Sequence, residues 1–578
     1  MKARLRICHA LFGLILALPG TLLVAQEQPS FASNDTGEFN LKQFGLLAIQ
    51  DDGRRKPIDT FASETLITLS GRSLYRDKAG RTWRAKDFVL SALLATHDWR
   101  SEPMVLVSLG KLKEVLGLDR MQKRFSFAQL TALPELNRLA GEVHTLLRAE
   151  KPLDRLQQEV RSVSERLTLL ARVMDGSAFL IVPAASKATD PWVVPPEFGK
   201  YYQEAQFAPV EKELQALATA YTQGDAFQFS RSSKRLRDLL SALSPAVYPT
   251  DNELQLEYRY NHFQGFYRAI FFYGAGFVLL LAAYLRNRGR ILRNIGVSVA
   301  LIGLLLQATA ITLRCLIAGR PPVTNMYESI IWVSFAVSVF GMIFFVRYRT
   351  TLYLLASLPA SFLALLLVHQ MPIAMSASID PLVPVLRDNF WLTIHVLTIT
   401  LSYAAFLLAW ALGHILLFLY AWRPVVTRTD GTIHFWLYRV LQLGVLLLAA
   451  GTILGGVWAN YSWGRFWGWD PKETWALIAL LCYIVMLHGR LAGWWTQFGL
   501  AVGSVVCFLA IVMAWYGVNF VLGKGLHSYG FGIGGETYVA ILVLADLAFV
   551  GLAIARYRLS RRVVATKPRE VEGETVAV

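Results

Sequence analysis

Long apolar runs in the second half of the chain constrain its fold more than any other feature. From Tyr267 onward we count nine runs long enough to cross the roughly 30 Å of hydrocarbon in a bilayer. Since 54% of the residues are hydrophobic and only 17% are charged, lipid must be the solvent for much of the surface. The sequence therefore predicts a mainly α-helical, polytopic membrane protein. Its runs lie near residues 267–285, 295–314, 327–346, 351–370, 390–421, 437–459, 473–489, 497–521 and 537–555.

The residues before these runs have the features of an exported domain. Residues 1–25 combine a basic start with an apolar stretch, which predicts a signal peptide or, alternatively, an uncleaved anchor. Residues 26–265 then predict an exported, mostly helical α+β domain, with strand-like runs at residues 44–49 and 104–107. Apolar residues between Leu153 and Val173 recur with a helical period, which predicts a long amphipathic helix.

The distribution of arginine predicts the orientation of residues 266–556 in the membrane. Arginines cluster in alternate connections, so the positive-inside rule assigns those connections to the cytoplasm. We therefore expect a bacterial inner membrane protein with its N-terminal domain in the periplasm and a cytoplasmic tail at residues 557–578. These clusters also explain the net charge of +16 without any role in binding nucleic acid. They contain Arg286, Arg288, Arg290, Arg293, Arg347, Arg349, Arg423, Arg428, Arg490, Arg556, Arg558, Arg561 and Arg562.

One connection on the predicted outer side is unusually rich in tryptophan. Residues 458–475 read Trp-Ala-Asn-Tyr-Ser-Trp-Gly-Arg-Phe-Trp-Gly-Trp-Asp-Pro-Lys-Glu-Thr-Trp and contain five of the sixteen tryptophans. A membrane-interface belt would also enrich tryptophan, but belts are dispersed along a chain. Here aromatic faces alternate with glycines that admit a flat partner, and two basic residues, Arg465 and Lys472, could bind carboxylates. This combination complements a porphyrin, which has a planar apolar face and two propionates.

The string from Trp463 to Asp470 resembles the Trp-Gly-x-x-Trp-x-Trp-Asp signature of the WWD-domain haem-handling family. The strings Asn325-Met326-Tyr327-Glu328-Ser329 and Gly525-Leu526-His527-Ser528-Tyr529-Gly530 resemble the CcsA (ResC) branch. The resemblance covers about residues 270–555 and implies haem b as substrate and bound ligand. It also implies a set of cofactor-binding residues: Trp463, Gly464, Trp467, Gly468, Trp469, Asp470 and Glu473.

Three of the ten histidines are candidate iron ligands. His395 and His527 lie near the predicted outer ends of two spans and match the pair of family histidines that are thought to ligate haem from opposite faces. Without the Trp-rich loop, interfacial polarity or a structural hydrogen bond would explain each of them. His488 resembles an intramembrane family histidine that holds haem on its way outward, although proximity to the cytoplasmic interface is an alternative explanation.

The resemblance implies a cytochrome c haem lyase or synthetase that acts within a complex. Haem would be presented for thioether attachment to an apocytochrome c carrying Cys-x-x-Cys-His, a motif that this chain lacks. Positioning would supply the catalysis, so we assign no catalytic residue. In fused relatives a CcsB portion provides a second intramembrane histidine, so we expect a CcsB/ResB-like membrane subunit as a partner, with thiol-reducing proteins as further candidates.

Three other functions use the same residues differently. A haem exporter or chaperone would pass noncovalent haem from this pocket to another carrier. A redox protein would need two stacked pairs of ligands across the bilayer, whereas the sequence shows one outer pair. A structural subunit without a cofactor would leave the Trp-rich loop unexplained.

Overall fold

The structure is a computed structural model, and it describes residues 40–185, 187, 189–286, 289–372, 375–381, 389–422, 428–522 and 536–566. Within these residues, helices long and apolar enough to cross a membrane occur at nine places. Each contains one of the predicted apolar runs to within a residue, so the predicted polytopic helical fold is confirmed. The helices, called the first to ninth spans below, are Gly265–Arg286, Arg290–Ala318, Met326–Tyr348, Leu352–Gln370, Asn389–Trp422, Arg428–Trp463, Pro471–Leu491, Gln497–Leu522 and Glu536–Thr566.

The fifth span lies at the centre of the bundle and the ninth lies at its edge. Of the apolar stretch of each helix, 78% is buried in the fifth span and 11% in the ninth. Three glycines of the sixth span, Gly444, Gly451 and Gly455, face the fifth span. A Cβ atom added to any of them would lie between 2.5 and 2.8 Å from the nearest atom of the fifth span. Small residues thus bring the two backbones close, as is common between membrane helices.

The eighth span changes its helical type along its length. It runs through two α-helical segments, Gln497–Val506 and Phe508–Val512, and ends in a π-helical segment, Met513–Leu522. Insertions of π-helix shift the side chains that follow to another face and are frequent at functional sites.

The N-terminal domain is a helical domain with three small antiparallel sheets, as predicted. Each sheet is a strand pair, and the pairs are Ala48–Asp51 with Arg54–Pro57, Leu74–Arg76 with Thr82–Arg84, and Val105–Leu106 with Arg124–Phe125. The helices are Lys42–Gly45, Ile58–Ser70, Ala85–Leu93, Gly110–Val115, Phe127–Thr131, Pro134–Arg148, Arg155–Met174, Glu204–Gln223, Ala226–Leu243 and Asp251–Phe263, with a 3-10 turn at Pro195–Lys200.

The predicted amphipathic helix is present at Arg155–Met174. It begins at a capping box in which the side chain of Asp154 accepts from the backbone N–H of Gln157, whose side chain accepts from the N–H of Asp154. Its predicted apolar face packs into the domain core, where Val160 and Val173 are fully buried.

The first predicted strand is displaced along the chain. Phe44 ends a short helix, and the strand covers Ala48–Asp51 instead of residues 44–49. Its hairpin turns at Asp52 and Gly53, which both have positive φ, as a two-residue turn of this kind requires. The predicted division of the chain at residues 25, 265 and 556 stays a prediction.

The N-terminal domain contacts one end of the bundle, called the domain side below. Helix Asp251–Phe263 joins the first span through Gln264, which has a φ of 47°. On the same side, Arg155 lies 3.4 Å from Glu536 at the start of the ninth span, and Pro381 packs near Gly53 of the hairpin. The opposite end of the bundle is called the far side.

Candidate functional site

A cavity of about 170 Å³ opens on the domain side among the fifth, sixth, seventh and eighth spans. The segment that leads into the third span forms its remaining wall. The lining is mainly apolar and aromatic, with a few polar groups that converge on the same space. Its chemically distinctive members are Asn325, Met326, His395, Trp458, Phe466, Trp467, Lys472, Glu473, Trp515 and Asn519.

His395 is held in one orientation within this lining. Its Nδ1 atom lies 2.8 Å from the carbonyl oxygen of Gly451 on the sixth span. Because a carbonyl oxygen can only accept, the hydrogen of a neutral imidazole is on Nδ1 and the lone pair is on Nε2. The ring also lies parallel to that of Trp458, with centroids 6.2 Å apart. A backbone acceptor on one ring nitrogen is the usual support for a histidine that binds a metal through the other.

The Trp-rich loop begins and ends at defined helix caps. Gly464 ends the sixth span with a φ of 69°, and its N–H donates to the carbonyl of Asn460. Asp470 caps the seventh span, since its side chain accepts from the N–H of Lys472 at 3.0 Å. Trp469, immediately before this cap, has a φ of 58°. The connection between the two spans is therefore short and well defined.

Glu473 organises this loop from within. Its Oε2 atom accepts from the backbone N–H of Gly468 at 2.8 Å and of Asp470 at 3.2 Å. Its Oε1 atom lies 3.7 Å from Nη1 of Arg465, an ion-pair distance that is too long for a hydrogen bond. The guanidinium of Arg465 lies over Gly468, where an added Cβ atom would be 1.1 Å from Nη1 and would displace the arginine side chain.

The tryptophans of the loop divide into two groups. Trp467 lines the cavity together with Trp458, which the prediction did not single out. Trp463 packs edge-on against Trp458 with ring centroids 4.7 Å apart, so it supports the wall from behind. Trp469 is 70% exposed and meets Trp467 edge-on at 5.9 Å, so it lies outside the cavity. The role of the predicted cofactor-binding residues stays a prediction, with Trp467 and Glu473 in the lining and the others around it.

The wall of the cavity that faces the Trp-rich loop is formed by the segment Asn325-Met326-Tyr327-Glu328-Ser329. A buried ion pair holds this segment in place. Glu328 lies 2.8 Å from Arg314 of the second span, and each side chain is 1% exposed. The second carboxylate oxygen of Glu328 accepts from the N–H and hydroxyl of Thr324, at 2.8 and 2.6 Å. Arg314 donates further to the carbonyls of Ala377 and Ser378, at 2.8 and 3.0 Å, and to the hydroxyl of Tyr260 at 3.2 Å. One network thus links the cavity wall to the loop after the fourth span and to the N-terminal domain.

Arg320 and Asp380 extend this network toward the N-terminal domain. The guanidinium of Arg320 donates to the carbonyl oxygen of Asp380 at 2.6 Å and to the hydroxyl of Thr324 at 3.3 Å. Burial lowers the pKa of Arg320 and raises the pKa of the Asp380 carboxyl. Sequence patterns did not single out Arg314 or Arg320, because basic residues at the end of a span read as interfacial residues.

The other two predicted iron ligands lie elsewhere. His488 is exposed at the far side, at the end of the seventh span, and its Nδ1 atom lies 2.9 Å from the carbonyl of Ile484. His527 lies outside the described residues. Within the described part of the chain, no three or more histidine, cysteine or acidic side chains are grouped to hold a metal ion. Among the described residues, His395 is the one histidine in the lining of the cavity.

Comparison with known proteins places this arrangement in a family. The profile described as "Cytochrome C assembly protein" matches residues 323–527, which contain the whole cavity. The cytochrome c biogenesis protein CcsA of Guillardia theta is 34% identical over 243 residues, which cover 38% of this chain and 79% of that protein. The chain belongs to the CcsA family of cytochrome c biogenesis proteins.

The predicted resemblance to the CcsA branch is therefore confirmed. A second CcsA, from a Synechococcus species, is 34% identical over 266 residues, 40% of this chain and 85% of that protein. Similarity also reaches the N-terminal domain: protein NrfI of Wolinella succinogenes is 31% identical over 553 residues, 90% of this chain. The match spans 59% of the length of NrfI.

Proposed function

We propose that this CcsA-family chain holds haem at the domain-side cavity and presents it for attachment to an apocytochrome c, as a cytochrome c synthetase. The observation that carries this proposal is His395. Its Nδ1 atom is fixed by the carbonyl of Gly451, and the residue lines an aromatic cavity. Neutral imidazole is a common axial ligand of haem iron, and aromatic walls suit the porphyrin plane.

The cavity is too small to enclose haem fully, and its size supports a site that presents haem at the surface of the protein. Pockets that enclose a drug-sized ligand have volumes of roughly 300–1,000 Å³. The cavity of about 170 Å³ is smaller, so the porphyrin would enter in part and leave one edge outside. The exposed Trp469 would then offer an apolar face to the part outside. A protein substrate must reach the vinyl groups, and this arrangement allows it.

The reaction adds two cysteine thiols of Cys-x-x-Cys-His to the two haem vinyl groups. In each addition a sulfur–carbon bond forms at the α-carbon of the vinyl group and the thiol hydrogen goes to the β-carbon, so no net oxidation occurs. We assign no side-chain nucleophile or base. His395 would hold the iron, and the loop around Trp467 would orient the ring. Such positioning can lower the activation free energy by several kcal/mol. In this proposal His527 supplies the second axial ligand until the substrate histidine replaces it.

We propose that the cavity is on the periplasmic face, because the described arginines of the clusters, such as Arg290, Arg347 and Arg490, lie at the far side of the bundle. We also propose a CcsB-like partner subunit. His488 is exposed on the outside of the seventh span, so a haem bound there would need a second ligand and a cover from lipid or from another chain. A thiol reductant would keep the cysteines of the apocytochrome reduced.

Absorption spectra of the detergent-purified protein test whether His395 and His527 bind the haem iron. We expect low-spin haem bands in wild type, weaker bands in His395→Gly and His527→Gly, and recovery of the bands with added imidazole. His144→Gly, on an exposed helix of the N-terminal domain, is the matched control and should keep the wild-type spectrum. Haem-free wild type, or unchanged bands in His395→Gly, would refute the assignment of the ligand.

Covalent attachment distinguishes a synthetase from a chaperone that passes on noncovalent haem. The chain would be expressed with an apocytochrome c and its partner subunit in cells without another maturation system. A haem stain of the denatured cytochrome should be positive with wild type and negative with His395→Gly. Haem transfer without a stained product would favour the chaperone.

A further inference from the structure

Two charged side chains, Lys472 and Glu473, line the cavity at the start of the seventh span. Glu473 is paired with Arg465, and both also hold the Trp-rich loop in place. Lys472 lines the cavity on the neighbouring position of the seventh span. Among the described residues, no carboxylate lies within the 4.0 Å of an ion pair from its Nζ atom. Lys472 therefore lines the cavity without a carboxylate from the described residues in contact with its ammonium group.

Lys472 is directed into the bundle by a specific contact. Its Nζ atom donates to Oδ1 of Asn519 on the eighth span at 3.2 Å. A lysine at the end of a membrane helix usually extends toward the interface, where water solvates its ammonium group. Here the ammonium group instead bridges two spans beside the cavity. Asp470, two positions earlier, uses its carboxylate to cap the helix at the N–H of Lys472.

Asn519 is itself fixed by its surroundings. Its Nδ2 atom donates to the carbonyl of Trp515 at 3.0 Å, so its Oδ1 atom must be the one that faces Lys472. The indole N–H of Trp515 in turn donates to Ser329 of the third span at 2.9 Å. Both Trp515 and Asn519 belong to the π-helical segment. This segment thus holds the ammonium group of Lys472 in place at the cavity.

We infer that Lys472 and Asn519 form the subsite for one carboxylate of the ligand, which is a haem propionate if the proposed function is correct. An ammonium group away from bulk water is costly unless an anion compensates it. One amide oxygen satisfies one of its three hydrogens and brings no opposite charge into contact with it. A carboxylate supplies both missing contributions. Arg465, the other basic residue of the loop, already has a carboxylate partner in Glu473 and is not part of this subsite.

A subsite of this kind would determine the orientation of the haem ring as well as the affinity for haem. The two propionates of haem lie on one edge of the ring and the two vinyl groups lie on the other half. Binding one propionate at Lys472 would therefore direct the vinyl edge away from the eighth span. The orientation of the reactive edge, and not only retention of haem, would depend on Lys472.

The test compares haem with its dimethyl ester, in which both propionates are neutral. Each would be titrated as the ferrous form into detergent-purified, haem-depleted wild type, Lys472→Met and Lys472→Arg. We expect Lys472→Met to weaken the binding of haem by about tenfold to a hundredfold. The same substitution should change the binding of the dimethyl ester by less than about twofold, and Lys472→Arg should retain most of the affinity for haem.

The outcomes separate this subsite from the proposed function. Wild type that binds neither compound would overturn the proposed function and the subsite with it. Wild type that binds haem with the same affinity as Lys472→Met would overturn the subsite and leave the proposed function standing. Equal losses for haem and the dimethyl ester in Lys472→Met would assign Lys472 to packing, and would also overturn the subsite. Lys111→Met, at an exposed position of the N-terminal domain, is the control and should bind both compounds like wild type.

Discussion

The Nδ1 atom of His395 lies 2.8 Å from the carbonyl oxygen of Gly451, a contact across two membrane spans. It depends on the glycines of the sixth span, since larger side chains there would hold the fifth span away. The same close packing that stabilises the bundle thus sets the direction of the imidazole. One methyl group added to a glycine of the sixth span can therefore change both the packing of the two spans and the orientation of the His395 imidazole.

Gly455→Ala should change the orientation of His395, the proposed iron ligand, without removing its side chain. A Cβ at Gly455 would lie 2.6 Å from Cε1 and 2.9 Å from Nδ1 of His395, so the ring must tilt away from the carbonyl of Gly451. We expect weaker or shifted low-spin haem bands in absorption spectra, although the histidine is still present. Gly551→Ala adds the same methyl group to the ninth span where no atom lies within 4 Å, so it should leave the bands unchanged. Wild-type bands in Gly455→Ala would show that His395 does not bind the iron.

The buried pair of Arg314 and Glu328 should be sensitive to the loss of one partner. Arg314→Met leaves Glu328 as an uncompensated buried charge, and such changes cost about 3–5 kcal/mol. We expect a clear loss of stability in thermal or denaturant unfolding of the purified protein. The double variant Arg314→Met/Glu328→Met should be less destabilised than either single variant, because no unpaired charge remains.

An exposed ion pair gives the matched control for this prediction. Arg138 pairs with Glu135 on a helix surface of the N-terminal domain, where both side chains are largely exposed. Arg138→Met should leave the unfolding transition close to that of wild type, because exposed ion pairs contribute little to stability. Equal effects of Arg314→Met and Arg138→Met would contradict the structural role of the buried network.

The membrane spans could be predicted because each is a long apolar run, and within such a run a helix forms all of its backbone hydrogen bonds inside lipid. The boundaries differ by up to eleven residues, since polar residues such as Arg290 and Arg428 continue a helix beyond the apolar region. The short strand at Ala48–Asp51 was displaced because Phe44 and Gly45 share its apolar character but close a helical turn. Tertiary context decides such short runs.

The candidate site could be predicted only in part. The composition of the Trp-rich loop identified its chemistry, but Trp463 and Trp467 have the same residue type and different positions relative to the cavity. Likewise Arg465 and Lys472 are both basic, and only the structure shows that Arg465 is paired with Glu473. Trp515 and Asn519 come from a span 40 or more positions away, so no local pattern connects them to the loop.

His414 and Asp546 should attach the ninth span to the bundle. Their side chains meet at 2.6 Å between the fifth and ninth spans, and Trp410 donates to the other carboxylate oxygen at 3.3 Å. Only 11% of the apolar stretch of the ninth span is buried, so each of its few contacts with the bundle, including this one, contributes to its attachment. We expect His414→Leu and Asp546→Leu each to lower stability, with a coupling of about 0.5–2 kcal/mol in a double-mutant cycle.

The control for this contact is a substitution on the exposed face of the same helix. Leu544 is 66% exposed, so Leu544→Ala should change the unfolding midpoint little. Additive effects of His414→Leu and Asp546→Leu in the cycle would mean that the two side chains do not stabilise each other.

Glu473 should act through the shape of the Trp-rich loop and not through direct contact with haem. Glu473→Gln keeps an oxygen that can accept from the N–H groups of Gly468 and Asp470, whereas Glu473→Ala removes this acceptor. We therefore expect Glu473→Gln to bind haem within about threefold of wild type, and Glu473→Ala to bind it about tenfold or more weakly, in titrations followed by absorption. If the carboxylate itself contacted the ligand, the two substitutions would weaken binding alike. Unchanged binding in both variants would show that the hydrogen bonds to Gly468 and Asp470 are dispensable for the site.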